Sequence, residues 1–264
     1  MCTDGSDWLE LWRKLVTINT AQSGSGRRLH RYELHSQVRT DKSDLLLEFI
    51  LDSINKDTSV LDVGAGSGRW TIPIAKVAKR VTAVEPSDIM VKRLQENIAT
   101  SNVANVHIVL TPWEEAEIQP HDIVVCAHAI YGSPDFAAFV VKMEQQAKDR
   151  CYLALRLPAH NGIIGELSYL IRGCRHDSPN AVVAYNAFYS IGICANVLAE
   201  EEVSPWVDSS LEEASARAKR HLRLESSTHD RLIRDILARR LIRSDSSYIW
   251  PDGMRSALLW WRQR

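Results

Sequence analysis

The sequence lacks any apolar run long enough to cross a bilayer. No window approaches the roughly 18 uninterrupted apolar residues a spanning helix needs, so no membrane span is expected. The opening stretch MCTDGSDWLELWRKL has no apolar core of secretory type, because Asp4, Asp7 and Glu10 interrupt it. An excess of charge is missing too: 32 Lys and Arg against 33 Asp and Glu leave a net charge of −1. That balance gives no global attraction to nucleic acid or to an anionic membrane, and leaves only local basic patches for such a purpose. The five cysteines (Cys2, Cys126, Cys151, Cys174 and Cys194) are scattered and form no CxxC pair. They read as reduced, mostly buried thiols of a cytoplasmic protein, and no Cys/His spacing suggests a metal site. There is no internal repeat and no low-complexity tract. A chain of 264 residues, 45% of them hydrophobic, suits one α/β domain with insertions.

What is present is alternation. Trp8, Leu11, Trp12, Leu15 and Ile18 recur at helical spacing from about Ser6 to Ile18, and a second helix is predicted over Asp41–Ile54. The Gly- and Ser-containing stretch AQSGSGRR (Ala21 to Arg28) between them reads as a loop. Strands are predicted at Thr58–Val63, at RVTAVEP ending near Glu85, and at Asn105–Leu110, Asp122–Ala129 and Arg150–Leu157. Helices are predicted between them over about Arg69–Ala78, from an N-cap at Ser87 to about Thr100, and over Asp135–Ala147. Continuous apolar strands alternating with helices indicate a mostly parallel, doubly wound sheet covered on both faces. After Pro158 the pattern changes. A mixed, aromatic segment to about Ser190 precedes a sixth strand (Ile193–Glu201) and helices near Leu211–Leu222 and Thr228–Ala238. The runs SYIW and MRSALLWW flank Pro-Asp-Gly and predict a terminal hairpin.

The most informative stretch is VLDVGAGSG followed by AVEPSDIM. Gly64, Gly66 and Gly68 sit at alternate positions directly after a buried strand, where a sharp turn or a touching ligand excludes side chains. Asp62 lies two residues before the first glycine, and Glu85 ends the next strand 17 residues beyond Gly68. In a doubly wound sheet both carboxylates reach the crevice at the C-terminal ends of adjacent strands, Glu85 in place to accept bonds from two vicinal ribose hydroxyls. A nicotinamide dinucleotide fold needs GxGxxG, but its third glycine position is Arg69 here.

These residues are similar to motifs I and II of the class I S-adenosylmethionine (SAM) dependent methyltransferases, over about Thr58 to Leu157. The resemblance implies a seven-stranded sheet with an antiparallel last strand, and SAM as cofactor. It implies that Asp62 and Gly64 hold the methionine part, with Ala65, Gly66 and Gly68 in the same loop. Glu85 and Pro86 would hold the ribose, and Met90 would cover one adenine face. After the third strand many members carry an acid, where this chain has Thr111-Pro112-Trp113-Glu114. Pro112 and Trp113 then border the adenine, unless Trp113 is internal packing. The fourth strand runs into His128-Ala129-Ile130-Tyr131. His128 and Tyr131 fall next to the methyl sulfur, with His128 either a general base or a lining of the cofactor cleft.

Acceptor contacts are expected from a cap, formed by residues 1–40 and by an insertion at 158–190 in a methyltransferase domain of 41–264. His160, Tyr185 and Tyr189 are the candidates, Tyr185, Phe188 and Tyr189 sharing one helical face as an aromatic wall or as packing. Arg27, Arg28, Arg31, Arg39 and Lys42 either greet an anionic acceptor or form a solvated face. An Asn/Asp-Pro-Pro-aromatic motif is absent after the fourth strand. Cys126 lies within that strand without the proline context of a carbon-methylating nucleophile. No metal is expected. The function expected is methyl transfer to a small-molecule acceptor, with nucleic acid disfavoured. The alternatives are an RNA or protein acceptor, and a SAM-binding module without turnover. Oligomeric state, a homodimer included, is left open.

Overall fold

The structure, a computed structural model, describes residues 7–20, 44–201, 205–251, 253 and 255–264. The basic run from Arg27 to Lys42 lies outside them. Helix α1 (Trp8–Thr20) and α2 (Leu45–Leu51) precede β1 (Ser59–Val63). Then follow α3 (Thr71–Val77), β2 (Arg80–Glu85), α4 (Asp88–Thr100), β3 (Val106–Leu110), β4 (His121–Ala127), α5 (Phe136–Gln145) and β5 (Ala147–Leu157). Helices α6 (Ile163–Arg172) and α7 (Ala181–Ser190) lead to β6 (Asn196–Ala199). The remainder is β7 (Val207–Asp208), α8 (Leu211–Leu222), α9 (Asp230–Arg240), β8 (Ile242–Ser244), β9 (Ser247–Ile249) and β10 (Arg255–Arg262). Side-chain oxygens start four of the longer helices: Ser87, Asp135, Asn180 and Ser210 each accept an amide of the first turn.

Seven strands form one sheet in the order β3-β2-β1-β4-β5-β10-β6. The first five are parallel, and β10 runs antiparallel between β5 and β6. Because the pleat sends successive side chains to opposite faces, β1 feeds two cores. Leu61 and Val63 join Trp12, Phe136, Phe188 and Trp261 on one face, while Val60 joins Leu46, Ile50, Ile74 and Tyr152 on the other. Strand order reverses between β1 and β4, which opens the ligand crevice beyond their C-terminal ends.

A third core stands apart from the sheet. Ile163 and Leu167 of α6 pack with Ala214, Leu222, Ile233, Leu237 and Trp250, and the small sheet β7-β9-β8 closes this lobe. Buried Asp208 fixes its register, taking Arg217 through Nε (2.9 Å) and Nη2 (2.7 Å) and Trp250 Nε1 at 2.7 Å.

Two expectations are corrected, the terminal hairpin and the reduced state of every cysteine. The terminal hairpin does not form: β9 belongs to the small sheet and β10 to the large one. Strand β10 is buried along both faces, which suits an interior position and not a two-stranded ribbon. The aromatic wall on α7 divides, because Phe188 is fully buried against Phe136 and Trp261 while Tyr185 and Tyr189 are exposed. Helix α1 places Trp12, Leu15 and Val16 in the main core against α7. Cys174 is disulfide-bonded, against the expectation of reduced thiols throughout, while Cys126 and Cys151 are buried and free and Cys194 is exposed. Among the described residues no helix is long and apolar enough to cross a membrane.

Candidate functional site

The glycine loop is built by close approach and left-handed backbone. Gly64 (φ 75°) lies where a Cβ would meet the Ala129 Cβ at 2.1 Å, so the loop and the turn after β4 fit together only with glycine here. Gly66 (φ 57°) faces open space, with nothing within 4 Å of an added Cβ. A ligand backbone has room there. Glu85, buried at the end of β2, accepts the amides of Gly66 (2.9 Å) and Ser87 (3.0 Å) through its two oxygens. Burial raises its carboxyl above the usual range, and the two amides oppose the rise. Ala65 and Met90 are buried, and Pro86 and Pro112 are exposed at their strand ends. This carboxylate on the loop and the open space over Gly66 fit the ribose and backbone approach that SAM requires.

Asp62 is buried at 2% exposure and accepts the Thr71 hydroxyl at 2.6 Å. Burial pushes its carboxyl up to about 6; the Thr71 bond opposes that and nearby Glu85 adds to it. Between about pH 4 and 6 the folded chain therefore keeps a proton the unfolded chain has lost, so stability falls as pH rises through this window. Asp62→Asn is expected to stabilise the ligand-free protein at neutral pH by up to about 3 kcal/mol, with no gain below about pH 4. Thermal melts across that range check it; a gain that is equal at both ends removes the buried charge as its cause.

Trp113 takes the packing alternative. Its ring lies in the main core 6.0 Å from Phe139, its Nε1 donates to the Phe139 carbonyl, and Lys142 sits over it at 4.9 Å. His160 is exposed in the turn after β5. Among the described residues no hydrogen bond or ring contact joins His160, Tyr185 or Tyr189 to His128. Cys126 is no nucleophile, because burial pushes its thiol up to about 12.

His128 has a left-handed backbone (φ 56°), an unfavourable state for a histidine that its amide bond to the Ala154 carbonyl (3.0 Å) helps to hold. Its ring stacks on Tyr131, with Nδ1 3.0 Å from the phenol oxygen and Nε2 3.4 Å from Ser256 Oγ. The Tyr131 oxygen also accepts the Arg156 amide at 2.7 Å. Both ring nitrogens of His128 thus lie within hydrogen-bond reach of hydroxyl groups.

A second layer was not anticipated from the sequence. Arg156, near the end of β5, donates through Nη2 to Asp177 Oδ1 (2.7 Å) and Ser178 Oγ (2.6 Å). The guanidinium holds the buried Asp177 carboxyl below the usual range against its burial, while burial lowers His176. Glu200 accepts the Ser256 amide at 2.7 Å. A belt from Glu200 through Ser256, His128 and Tyr131 to Arg156 thus crosses the ends of β6, β10, β4 and β5. Its one sequence signal was a cation closing the apolar run RCYLALRL.

The methyltransferase-domain family matches residues 54–203. Over 103 residues the chain is 29% identical to a probable ribosomal RNA small subunit methyltransferase A of Methanosphaera stadtmanae, covering 37% of this chain and 38% of that one. Over 57 residues it is 40% identical to a probable cobalt-precorrin-6B C(15)-methyltransferase (decarboxylating) of Methanocaldococcus jannaschii, covering 22% of this chain and 31% of that one. The chain therefore spans well under half the length of either relative. The YcgJ protein of Bacillus subtilis shares the fold, with a TM-score of 0.55 at 16% identity over 83% of this chain and 97% of that one. A relative named for ribosomal RNA means that neutral net charge does not exclude nucleic acid. With its glycine loop, its Glu85 and its reversed β10, the chain belongs to the methyltransferase-domain family and has a Rossmann-like fold.

Proposed function

We propose that the acceptor is a small molecule, held beyond the C-terminal ends of β4 and β5 beside His128, Tyr131 and Arg156. The supporting observation is how the appended lobe uses its cations. Arg217 pairs with Asp208, Lys219 with Asp230, Arg234 with Glu212, and Arg239 and Arg240 with Glu166. Cations so neutralised offer little to a phosphate backbone, whose binding rests on uncompensated charge.

Bound SAM supplies an electrophilic methyl group. The chain's own contribution is position. Glu85 and the open face of Gly66 fix the donor, and the Tyr131–His128 pair sets the wall opposite the acceptor. The Tyr131 hydroxyl lies 3.0 Å from the imidazole Nδ1, and the pair serves to orient the acceptor.

Turnover of SAM is measured with a panel of small amines, phenols, thiols and acids, and with structured RNA. Turnover is expected with a small acceptor. For that acceptor Tyr131→Phe is expected to lower kcat by about 10- to 100-fold through lost alignment, with SAM affinity unchanged. Methylation confined to RNA, with an affinity that falls steeply in salt, favours the ribosomal RNA relative's chemistry instead. Tight SAM binding without any product supports a module without turnover.

A further inference from the structure

The Arg156 side chain is only 17% exposed, yet one nitrogen makes all its side-chain bonds. Nη2 serves Asp177 and Ser178. Nε and Nη1, with three further N–H groups between them, donate to nothing among the described residues. Neither nitrogen is a fully buried atom without a partner, so both stay open to solvent or to a ligand. Asp177 also acts electrostatically on Arg172, but among the described residues its ion pair is with Arg156. Arg172 donates through Nη2 to the Leu222 carbonyl, while its buried Nη1 has no partner. One turn earlier on α6, the fully buried Ser168 hydroxyl is also without a partner. Glu200, the other buried acid nearby, is committed to the Ser256 amide. Arg156 thus holds its carboxylate through one nitrogen and keeps three N–H groups for a second anion.

We propose that the remaining N–H groups of Arg156, a side chain held in place by Asp177, take the oxyanion of the methyl acceptor, a carboxylate or a phosphate, and are its principal ligand. The inference rests on the small-molecule reading above and narrows it to anionic acceptors. Tyr131 makes the placement productive. Its hydroxyl receives the Arg156 amide and contacts His128, so an anion held by the guanidinium lies one strand from the turn that packs on Gly64. Asp177 keeps the guanidinium fixed before the acceptor arrives, and an anion bound to the remaining N–H groups gains charge-assisted bonds without having to order the side chain.

The test needs no knowledge of the acceptor. The probe is inorganic phosphate, titrated by phosphorus NMR into protein saturated with S-adenosylhomocysteine, with acetate as competitor. One saturable phosphate site is expected, displaced by acetate and at least tenfold weaker in Arg156→Gln. Breaking a buried pair can unfold the lobe, so the double variant Arg156→Gln/Asp177→Asn, which removes both charges, is measured beside it with the same expectation. Absence of a saturable site in the wild type, or undiminished phosphate binding in the double variant, overturns the proposal. Displacement of phosphate by a short RNA duplex at about 150 mM salt assigns the site to nucleic acid and overturns its small-molecule part. Failure of S-adenosylhomocysteine to bind is seen first, when the protein is loaded with it, and counts against the cofactor reading instead.

Discussion

Glu85→Ala is expected to weaken SAM and S-adenosylhomocysteine binding by at least about 30-fold, roughly 2 kcal/mol, while melting changes little. Two losses combine. The ribose hydroxyls lose a charged acceptor, and the amides of Gly66 and Ser87 lose the clamp that shapes the loop. Stability is spared because burial already makes the Glu85 charge unfavourable in the folded chain, as its raised carboxyl reports. Glu85→Gln, which keeps an acceptor oxygen but not the charge, should fall between the two. Calorimetric titration decides the matter: affinity within about threefold of wild type would leave Glu85 a loop clamp alone and take the ribose contact away from it.

Trp12→Ala is expected to be the most damaging single truncation outside the site. Trp12 is fully buried, its ring 4.8 Å from Phe136, and its Nε1 donates to the Ser133 carbonyl at 2.9 Å across 121 residues of chain. Removing such a ring costs about 3–5 kcal/mol, a large share of a total of about 5–15. The melting temperature should drop by about 6–20 °C. Activity should suffer beyond the loss of stability, because Ser133 closes the short helical turn of Ile130–Gly132 that carries Tyr131. Circular dichroism melts check the first part; a drop under about 2 °C would mean that α1 is dispensable packing.

The glycine loop and its two carboxylates were legible because they are local. Three glycines, Asp62 and Glu85 lie within 24 residues, and each answers to the geometry of one strand–loop–helix–strand unit. Ser87 was readable as a cap for the same reason. The cluster around Arg156 was not. Arg156 and Asp177 are 21 residues apart and meet only because the segment after α6 folds back over the end of β5. The helix Leu211–Leu222 was found in place, but an amphipathic pattern does not name the surface that covers it, so the separate core around Trp250 went unseen. The hairpin error has the same root. Two strand-like runs around Pro-Asp-Gly look alike whether they pair with each other or with different sheets, and only β10, apolar on both faces, had a reason to be interior.

The position of β10 also bears on synthesis. The strand lies between β5 and β6, yet it is made after both and after the whole Trp250 lobe. Until residues 255–262 leave the ribosome, β5 presents an open edge of eleven residues, and β6 has no neighbour in the large sheet. An unpaired apolar edge is a template for pairing with other chains. The growing polypeptide therefore passes through a stage in which five strands, the α1 packing and the small lobe can fold while the gap beside β5 stays unfilled. Completion of the main core waits on Leu259 and Trp261.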